Sequence, residues 1–169
     1  MNDARLPSKE VQKINIKIGS DVAEIDLILP LVKQAHKESF FADQPFDKDQ
    51  YERLCGFLIS NPGFYGALYA EYDNEPAAFA YYMFRPLLGS KKTWITIMHS
   101  LYIRSDLRAT DIGGYLWDRI MTTVRAWSAP RGSKGLMFNV ISGVAVEDTD
   151  ALIRANGGTF VGGNYFIRA

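Results

Sequence analysis

The chain has 169 residues, and its 19 Lys and Arg residues are balanced by 19 Asp and Glu residues. This length favours one domain with a substantial core, and a hydrophobic content of 47% excludes a disordered protein. The sequence shows no basic stripe and no apolar run long enough to span a membrane. We therefore expect neither a nucleic-acid partner nor a membrane span.

Cysteine and histidine usage argues against a metal site. Cys55 is the single cysteine, which excludes an internal disulfide and a multi-cysteine metal site. His36 and His99 are too far apart in sequence for a local zinc motif, so we expect no metal. Residues 1–13 are too polar for a signal peptide, and a lone cysteine is compatible with a reducing cytosol. We therefore expect a cytoplasmic protein.

The first half of the chain predicts one strand, two helices and a hairpin. Asp21 and Glu24 form a capping-box pattern before a segment with helical spacing. Pro30 requires this helix to begin near Leu27 or to kink there. Residues 73–75 are a hairpin signal. The predicted elements are a strand over 14–18, a helix reaching residue 40, a helix over 48–59, and strands over 64–72 and 76–85.

The second half of the chain predicts three strands and two helices. These elements are a strand over 93–103, a helix over 111–128, a strand over 136–141, a helix over 147–155 and a strand over 159–168. The complete order is β-α-α-β-β-β-α-β-α-β, which indicates a mixed α/β fold. We expect a single domain over residues 14–169, preceded by a flexible leader over residues 1–13.

The most informative segment covers residues 101–116. An apolar strand ends at Ile103, a short turn follows, and Arg108 precedes an amphipathic helix that carries Gly113 and Gly114. A helix N-terminus has backbone N–H groups without partners and the positive end of the helix dipole. This arrangement therefore predicts an anion site. Paired glycines lower the stability of a helix and need a reason.

This segment resembles the acyl-CoA signature of the GNAT N-acetyltransferases, in which a strand ending Leu-Tyr-Val/Ile precedes Arg/Gln-x-x-Gly-x-Gly/Ala. Arg108, Ile112 and Gly113 lie in register with that signature. Asp111 occupies the place of its first glycine. The predicted order of elements is also the GNAT order, and the resemblance extends over residues 14–168.

The resemblance implies a GNAT acyl-CoA N-acyltransferase-like fold. In this family the fourth and fifth strands splay apart, and the pantetheine arm of acetyl-CoA lies between them. By similarity, the backbone of Leu101 and Ile103 would pair with the pantetheine. The N–H groups of residues 108–113, together with the Arg108 side chain, would hold the pyrophosphate. The expected cofactor-binding residues are Leu101, Ile103, Arg108, Ala109, Asp111, Ile112, Gly113 and Gly114.

The implied reaction is transfer of an acetyl group from acetyl-CoA to a primary amine. The amine would attack directly, with no covalent enzyme intermediate. The acceptor would be a small molecule or a protein amine, and the resemblance does not decide between them. GNAT proteins are often dimers, so a homodimer is left open.

His99 is the candidate general base. Strict alternation along a strand would put residues 97, 99, 101 and 103 on one face, so His99 would share a face with Leu101 and Ile103. Some GNAT proteins, including arylalkylamine acetyltransferases, carry histidine at this place. A histidine with a pKa near neutrality suits removal of a proton from an amine. The alternative is a histidine hydrogen-bonded within the core.

The general acid has no match at the position that the family often uses. That position is a tyrosine on the closing helix, four residues before a glycine, and Ile153 occupies it here. Tyr165, Tyr102 and Ser142 carry alternative hydroxyl groups, and we name Tyr165 as the candidate. A thiol is a tolerable leaving group, so the reaction does not depend on an acid.

Two candidate cofactor residues have structural alternatives. Asp111 directly precedes the helical run and would act as its N-cap, so that its carboxylate competes with phosphate for the same N–H groups. Its charge would weaken CoA binding unless Arg104 or Arg108 offsets it. Arg108 would otherwise be a solvated residue at a turn.

The acceptor site is expected between the first two helices and the opposite side of the sheet. Phe41, Asp43 and Phe46 come from the loop between those helices, and Tyr82 comes from the third strand. We name these four as substrate-binding residues, because an aromatic and acidic lining suits an amine. The alternative is that the aromatic residues belong to the core, as strand aromatics more often do.

Two other functions stay open from the sequence. One is a GNAT-fold protein without catalysis that serves as a binding or interaction module, which Asp111 and the missing tyrosine favour. The other is a different anion-binding α/β domain, such as a nucleotide binder. The sequence contains neither G-x-x-x-x-G-K-S/T nor G-x-G-x-x-G, which counts against the second.

Overall fold

The computed structural model describes residues 7–19, 21–139, 142 and 146–162, which form a five-stranded mixed sheet with helices against both faces. The strands are β1 (Ile14–Ile18), β2 (Tyr65–Tyr72), β3 (Glu75–Pro86), β4 (Trp94–Ile103) and β5 (Leu136–Phe138). The helices are α1 (Ser8–Val11), α2 (Val22–Leu27), α3 (Leu29–Glu38), α4 (Lys48–Ser60), α5 (Asp111–Ser128) and α6 (Val146–Ala155). In this described part, no helix is long and apolar enough to cross a membrane.

The strands follow chain order across the sheet, from β1 to β5. Neighbours from β1 to β4 are antiparallel, whereas β5 joins β4 in parallel after the α5 crossover. The β2–β3 hairpin turns at Asp73 and Asn74, whose φ angles are 56° and 65°. Left-handed backbone at both central residues gives the turn twist that matches paired strands, and Asn and Asp tolerate it. The predicted mixed α/β class and this hairpin are confirmed.

Alternate side chains of β3 enter two separate cores. Ala78, Ala80 and Tyr82 pack on the face covered by α5. Phe79 and Tyr81 pack on the other face, against residues of α3 and α4. The helical residues buried against the first face are Leu116, Trp117, Ile120, Met121 and Val124, and those against the second are Leu31, Tyr51, Cys55 and Leu58. Burial of apolar area on both faces is the main term that holds the sheet between its helices.

Pro30 divides the first predicted helix into two. The Asp21 carboxylate accepts a hydrogen bond from the Glu24 N–H at the start of α2, as the capping pattern predicts. Ile28 then separates α2 from α3, and Pro30 lies in the first turn of α3. Proline is tolerated there because first-turn N–H groups have no partner within the helix. The break therefore follows from the missing N–H of proline.

The two ends of the chain differ from the predicted elements. Within the predicted leader, α1 forms, and the Tyr72 hydroxyl donates to the Glu10 carboxylate at 2.7 Å. β5 covers residues 136–138 of the predicted 136–141; residue 139 is not in a strand, and residues 140 and 141 lie outside the described residues. Of the predicted closing strand, residues 159–162 are not in a strand, and the remainder lies outside the described residues.

Candidate functional site

A β-bulge at His99 divides β4 into two halves. In the pairing with β3, Tyr81 lies opposite Ser100 and Tyr82 lies opposite Met98, so His99 is the extra residue. The His99 side chain is exposed. A bulge bends its strand and increases the local twist, which turns the second half of β4 away from its former direction.

The bulge changes which residues of β4 share a face. Met98 packs in the same core as Leu101 and Ile103, whereas Tyr102 packs in the core on the other face. An inserted residue reverses the alternation that follows it. The prediction of one continuous face over residues 97, 99, 101 and 103 is therefore wrong, because Met98 takes the place expected for Ile97. The role of His99 as a base stays a prediction.

Within the described residues, the second half of β4 has no strand partner on the side where β5 pairs with its first half, and we call this its open edge. Within the described residues, β5 pairs with Thr96–Met98, and the Asn139 N–H extends this pairing to the Met98 carbonyl. The Arg104 N–H donates to Ala77 at the other edge. Successive residues of a strand direct their backbone polar groups to opposite edges, so those of Ile103 and Leu101 face the open edge. This geometry supports the predicted pairing of both residues with a ligand.

The N-terminus of α5 lies beyond the end of this edge. Thr110 is the N-cap, with extended backbone and a hydroxyl that accepts from the Gly113 N–H at 3.2 Å. Asp111 is the first helical residue and is exposed, so the alternative in which it caps the helix is wrong, and its role in cofactor binding stays a prediction. Threonine takes that role because its hydroxyl reaches the third N–H of the helix. In the described part of the chain, the N–H groups of Asp111 and Ile112 donate no hydrogen bond.

Gly113 and Gly114 have different reasons to lack a side chain. A Cβ on buried Gly113 would overlap the carbonyl oxygen of Leu107, so the start of α5 packs tightly on the preceding turn. A Cβ on Gly114 would meet no atom within 4 Å, and the residue is exposed. The packing of the protein therefore explains Gly113 and leaves the backbone of Gly114 open to close approach from outside.

The Arg108 side chain is held on the α3 side of the turn. Its Nε–H donates to the Ile103 carbonyl at 2.7 Å, and its Nη2 donates to the Glu38 carboxylate at 2.6 Å. The guanidinium carbon lies 4.6 Å from the centre of the Tyr102 ring. These contacts exclude the alternative of a freely solvated turn residue. Its role as a pyrophosphate ligand stays a prediction.

Glu38 is the site residue whose contacts the sequence did not predict. Its carboxylate accepts from Arg108, from the Tyr102 hydroxyl at 2.9 Å and from Gln34 at 3.0 Å. Partial burial alone would raise the pKa of Glu38, but these hydrogen bonds hold it below its ordinary value. Arg108 lies 70 residues further along the chain, so no local pattern signals the pair.

The Tyr102 hydroxyl donates its hydrogen bond to the Glu38 carboxylate. Burial, together with the hydrogen bond to Glu38, raises the pKa of Tyr102 to about 12. Tyr165, the other candidate acid, lies outside the described residues. Ile153, at the place of the family's tyrosine, packs closely against Gly158.

Three of the four predicted acceptor residues lie together on the α3–α4 loop. Phe46 packs edge-on against His36, Phe41 packs against Phe40, and Asp43 is exposed. The Phe40 N–H donates to the Ser142 carbonyl at 2.7 Å, which ties this loop to the chain beyond β5.

The structure does not bring Tyr82 together with that loop. Its side chain is 1% exposed and packs in the core beneath α5, where its ring meets Trp127 edge-on. A Cβ on Gly66 would overlap this ring. Among the described residues its hydroxyl has no hydrogen-bond partner. These contacts agree with the core alternative for Tyr82.

Comparison with known proteins gives similarity in structure but not in sequence. No family model and no curated protein matches the chain. An aminoglycoside 6'-N-acetyltransferase from Acinetobacter baumannii superimposes with a TM-score of 0.68 at 12% identity, over 92% of this chain and 97% of the other. A ribosomal-protein-alanine N-acetyltransferase from Brucella melitensis gives 0.62 at 17% identity, over 92% and 99%.

A third similar structure is an aminoglycoside acetyltransferase in complex with a bisubstrate analogue that joins CoA to acetylneamine. It superimposes with a TM-score of 0.67 at 11% identity, over 92% of this chain and 97% of the other. The similarity covers nearly the whole of each chain, so the agreement concerns the complete fold rather than one motif. The chain has the fold of the GNAT N-acetyltransferases, as the motif at residues 101–116 predicts.

Proposed function

We propose that this protein is an acetyl-CoA-dependent N-acetyltransferase that acts on a primary amine. The observation that carries this proposal is the open edge of β4, whose Leu101 and Ile103 backbone groups lead to the N-terminus of α5. A strand edge offers hydrogen bonds to the amides of an extended chain, and a helix N-terminus offers N–H groups and a positive dipole to phosphate. The two features together match the pantetheine and the pyrophosphate of acetyl-CoA.

The residues available for the cofactor fit these two roles. Leu101 and Ile103 would pair with the pantetheine, although Arg108 already donates to the Ile103 carbonyl. The segment from Arg108 to Gly114 would hold the pyrophosphate, since the N–H groups of Asp111 and Ile112 donate to no acceptor among the described residues. Open space at Gly114 suits close approach of a phosphate to the backbone.

The chemical step requires loss of a proton from the acceptor ammonium before attack. The amine lone pair then attacks the thioester carbon, the carbon–sulfur bond breaks, and the thiolate leaves with the electron pair. The attacking nitrogen gives up its second proton as the amide forms, which balances the proton that the thiolate takes up. His99, exposed at the bulge and beside the open edge, is the proposed base, directly or through a water molecule. Tyr165 is the proposed acid.

The α3–α4 loop is the proposed site of the acceptor. Its exposed Asp43 carries a negative charge that would attract an ammonium group, and Phe41 and Phe46 lie on the same loop. The similar proteins are named as acetyltransferases of aminoglycosides and of a ribosomal-protein alanine, and each of these acceptors is an amine. That range supports an amine and does not select one.

Calorimetric titration with acetyl-CoA, CoA and ADP tests the proposal. We expect micromolar binding of acetyl-CoA that is tighter than binding of ADP, because ADP lacks the pantetheine that pairs with β4. Amines are then screened for transfer by detection of free CoA thiol. Absence of binding to all three ligands would contradict the cofactor assignment and favour a GNAT-fold module without catalysis.

A further inference from the structure

We infer that Glu38 is a positioning residue for the acyl-CoA site, acting through Arg108; the inference rests on the proposed function. Glu38 is the last residue of α3, yet its carboxylate holds a side chain from the turn between β4 and α5. Arg108 Nη2 donates to one carboxylate oxygen at 2.6 Å, and the Tyr102 hydroxyl donates to the other at 2.9 Å. A single carboxylate thus joins a helix, the end of β4 and the turn that follows.

Arg108 also makes a hydrogen bond to the backbone. Its Nε–H donates to the carbonyl of Ile103, the last residue of β4, so one side chain links the two ends of the turn formed by residues 104–108. The planar guanidinium also lies over the Tyr102 ring. Glu38 orients the planar guanidinium of Arg108, because it holds Nη2 while Nε–H donates to the Ile103 carbonyl.

The conformation of residues 104–108 also sets the position of the α5 N-terminus. The Leu107 carbonyl accepts from both the N–H and the hydroxyl of Thr110, the N-cap of α5. Gly113 packs against the same carbonyl with no room for a Cβ. A shift of residues 104–108 would therefore shift the N–H groups that the proposed function assigns to pyrophosphate.

Electrostatics and positioning predict opposite effects for loss of Glu38. Its negative charge lies one side chain away from an anion site, so its removal would strengthen CoA binding if charge alone mattered. If Arg108 served solely as a phosphate ligand, release from Glu38 would also favour binding. If Glu38 positions the turn, its removal weakens binding despite the gain in positive charge.

The test compares Glu38→Ala and Glu38→Gln with the matched control Glu52→Gln. Glu52 forms an ion pair with Lys48 at 2.7 Å on α4, whereas Glu38 holds the turn that leads to α5. We expect KM for acetyl-CoA to rise about 5–10-fold in Glu38→Ala with kcat changed less than about twofold, given partial solvent exposure of the pair. Glu38→Gln, which retains one acceptor oxygen, is expected to recover part of the loss.

Hydrogen–deuterium exchange of the unliganded proteins provides a second readout. Faster exchange of residues 104–113 in Glu38→Ala, with the control unchanged, supports positioning of the turn. Unchanged exchange there, or tighter acetyl-CoA binding, overturns the inference. If the wild-type protein binds no acetyl-CoA, the proposed function fails, and exchange over residues 104–113 alone decides whether Glu38 holds the turn.

Discussion

His99 is the residue with the clearest chemical role to test. It lies at the bulge of β4, exposed, where its neighbours on the open edge are the proposed pantetheine contacts. We expect His99→Ala to lower kcat by about 100-fold or more, because general base catalysis contributes on that order. Acetyl-CoA binding is expected to be unchanged, which steady-state kinetics with calorimetry would show.

The second histidine provides the control for that experiment. The His36 Nε2 lies 2.7 Å from the Gln44 carbonyl on the α3–α4 loop, so His36→Ala should act on that loop rather than on proton transfer. We expect it to change the acceptor KM more than kcat. Full turnover in His99→Ala would remove His99 as the base and leave bulk water in that role.

The stability of the folded protein should depend on pH through the ionisation of Glu38. The hydrogen bonds that it accepts lower its pKa from the ordinary value of 4.5, so its ionised form stabilises the folded state. That contribution is fully present above about pH 4.5 and is lost as pH falls through the lower pKa of the folded state. We expect the Tm difference between wild type and Glu38→Gln to be constant at neutral pH and to shrink in acid.

Thermal melts of both proteins between neutral and acidic pH measure this difference. Glu52→Gln again serves as the control, since Glu52 pairs with Lys48 in a largely exposed position on α4. A Tm difference for Glu38→Gln that persists unchanged at the acidic end would show that ionisation of Glu38 does not stabilise the fold.

At the scale of elements, we expect substitution of Gly113 to affect stability and substitution of Gly114 to affect cofactor binding. In Gly113→Ala the new Cβ would overlap the Leu107 carbonyl, so we expect a loss of about 1–3 kcal/mol in the free energy of unfolding. In Gly114→Ala the Cβ meets open space, so stability should be unchanged or rise by up to about 1 kcal/mol. Acetyl-CoA binding should nevertheless weaken in Gly114→Ala, because the new Cβ would stand where a phosphate approaches the backbone.

Denaturant unfolding and calorimetry on both variants distinguish these outcomes. Unimpaired acetyl-CoA binding in Gly114→Ala would argue against close approach of phosphate at that residue.

The elements themselves follow closely from local sequence patterns. Helix α5 begins at Asp111 and ends at Ser128 as predicted, because an apolar stripe and a polar start define it within one segment. The bulge at His99 could not be predicted from the sequence, because nothing in the apolar run of β4 marks which residue is extra. The Glu38–Arg108 pair could not be predicted either, because it depends on how α3 packs against the end of β4.

At the scale of the whole molecule, one sheet serves two separate cores, and among the described residues the second half of β4 is unpaired on the side of β5. The cores beneath α5 and beneath α3 and α4 are joined through the alternating side chains of β3. The proposed ligand would lie beside β4 beyond the point where its described pairing with β5 ends, and it would contact both the sheet and the start of α5. A ligand that binds across these parts should stabilise the folded state as a unit, since it binds the folded and not the unfolded chain.

We therefore expect acetyl-CoA to raise the Tm of the whole protein. At about 100 times the dissociation constant the stabilisation is about 2.7 kcal/mol, which corresponds to a rise of about 5–10 °C for a chain of this size. ADP at the same concentration should give a smaller rise, because it reaches the α5 N-terminus without pairing along β4. His99→Ala should show the same rise as wild type, since a base contributes to the chemical step and not to cofactor binding. Equal shifts from ADP and acetyl-CoA would mean that the open edge of β4 contributes nothing to binding, and the pantetheine would then have to lie elsewhere.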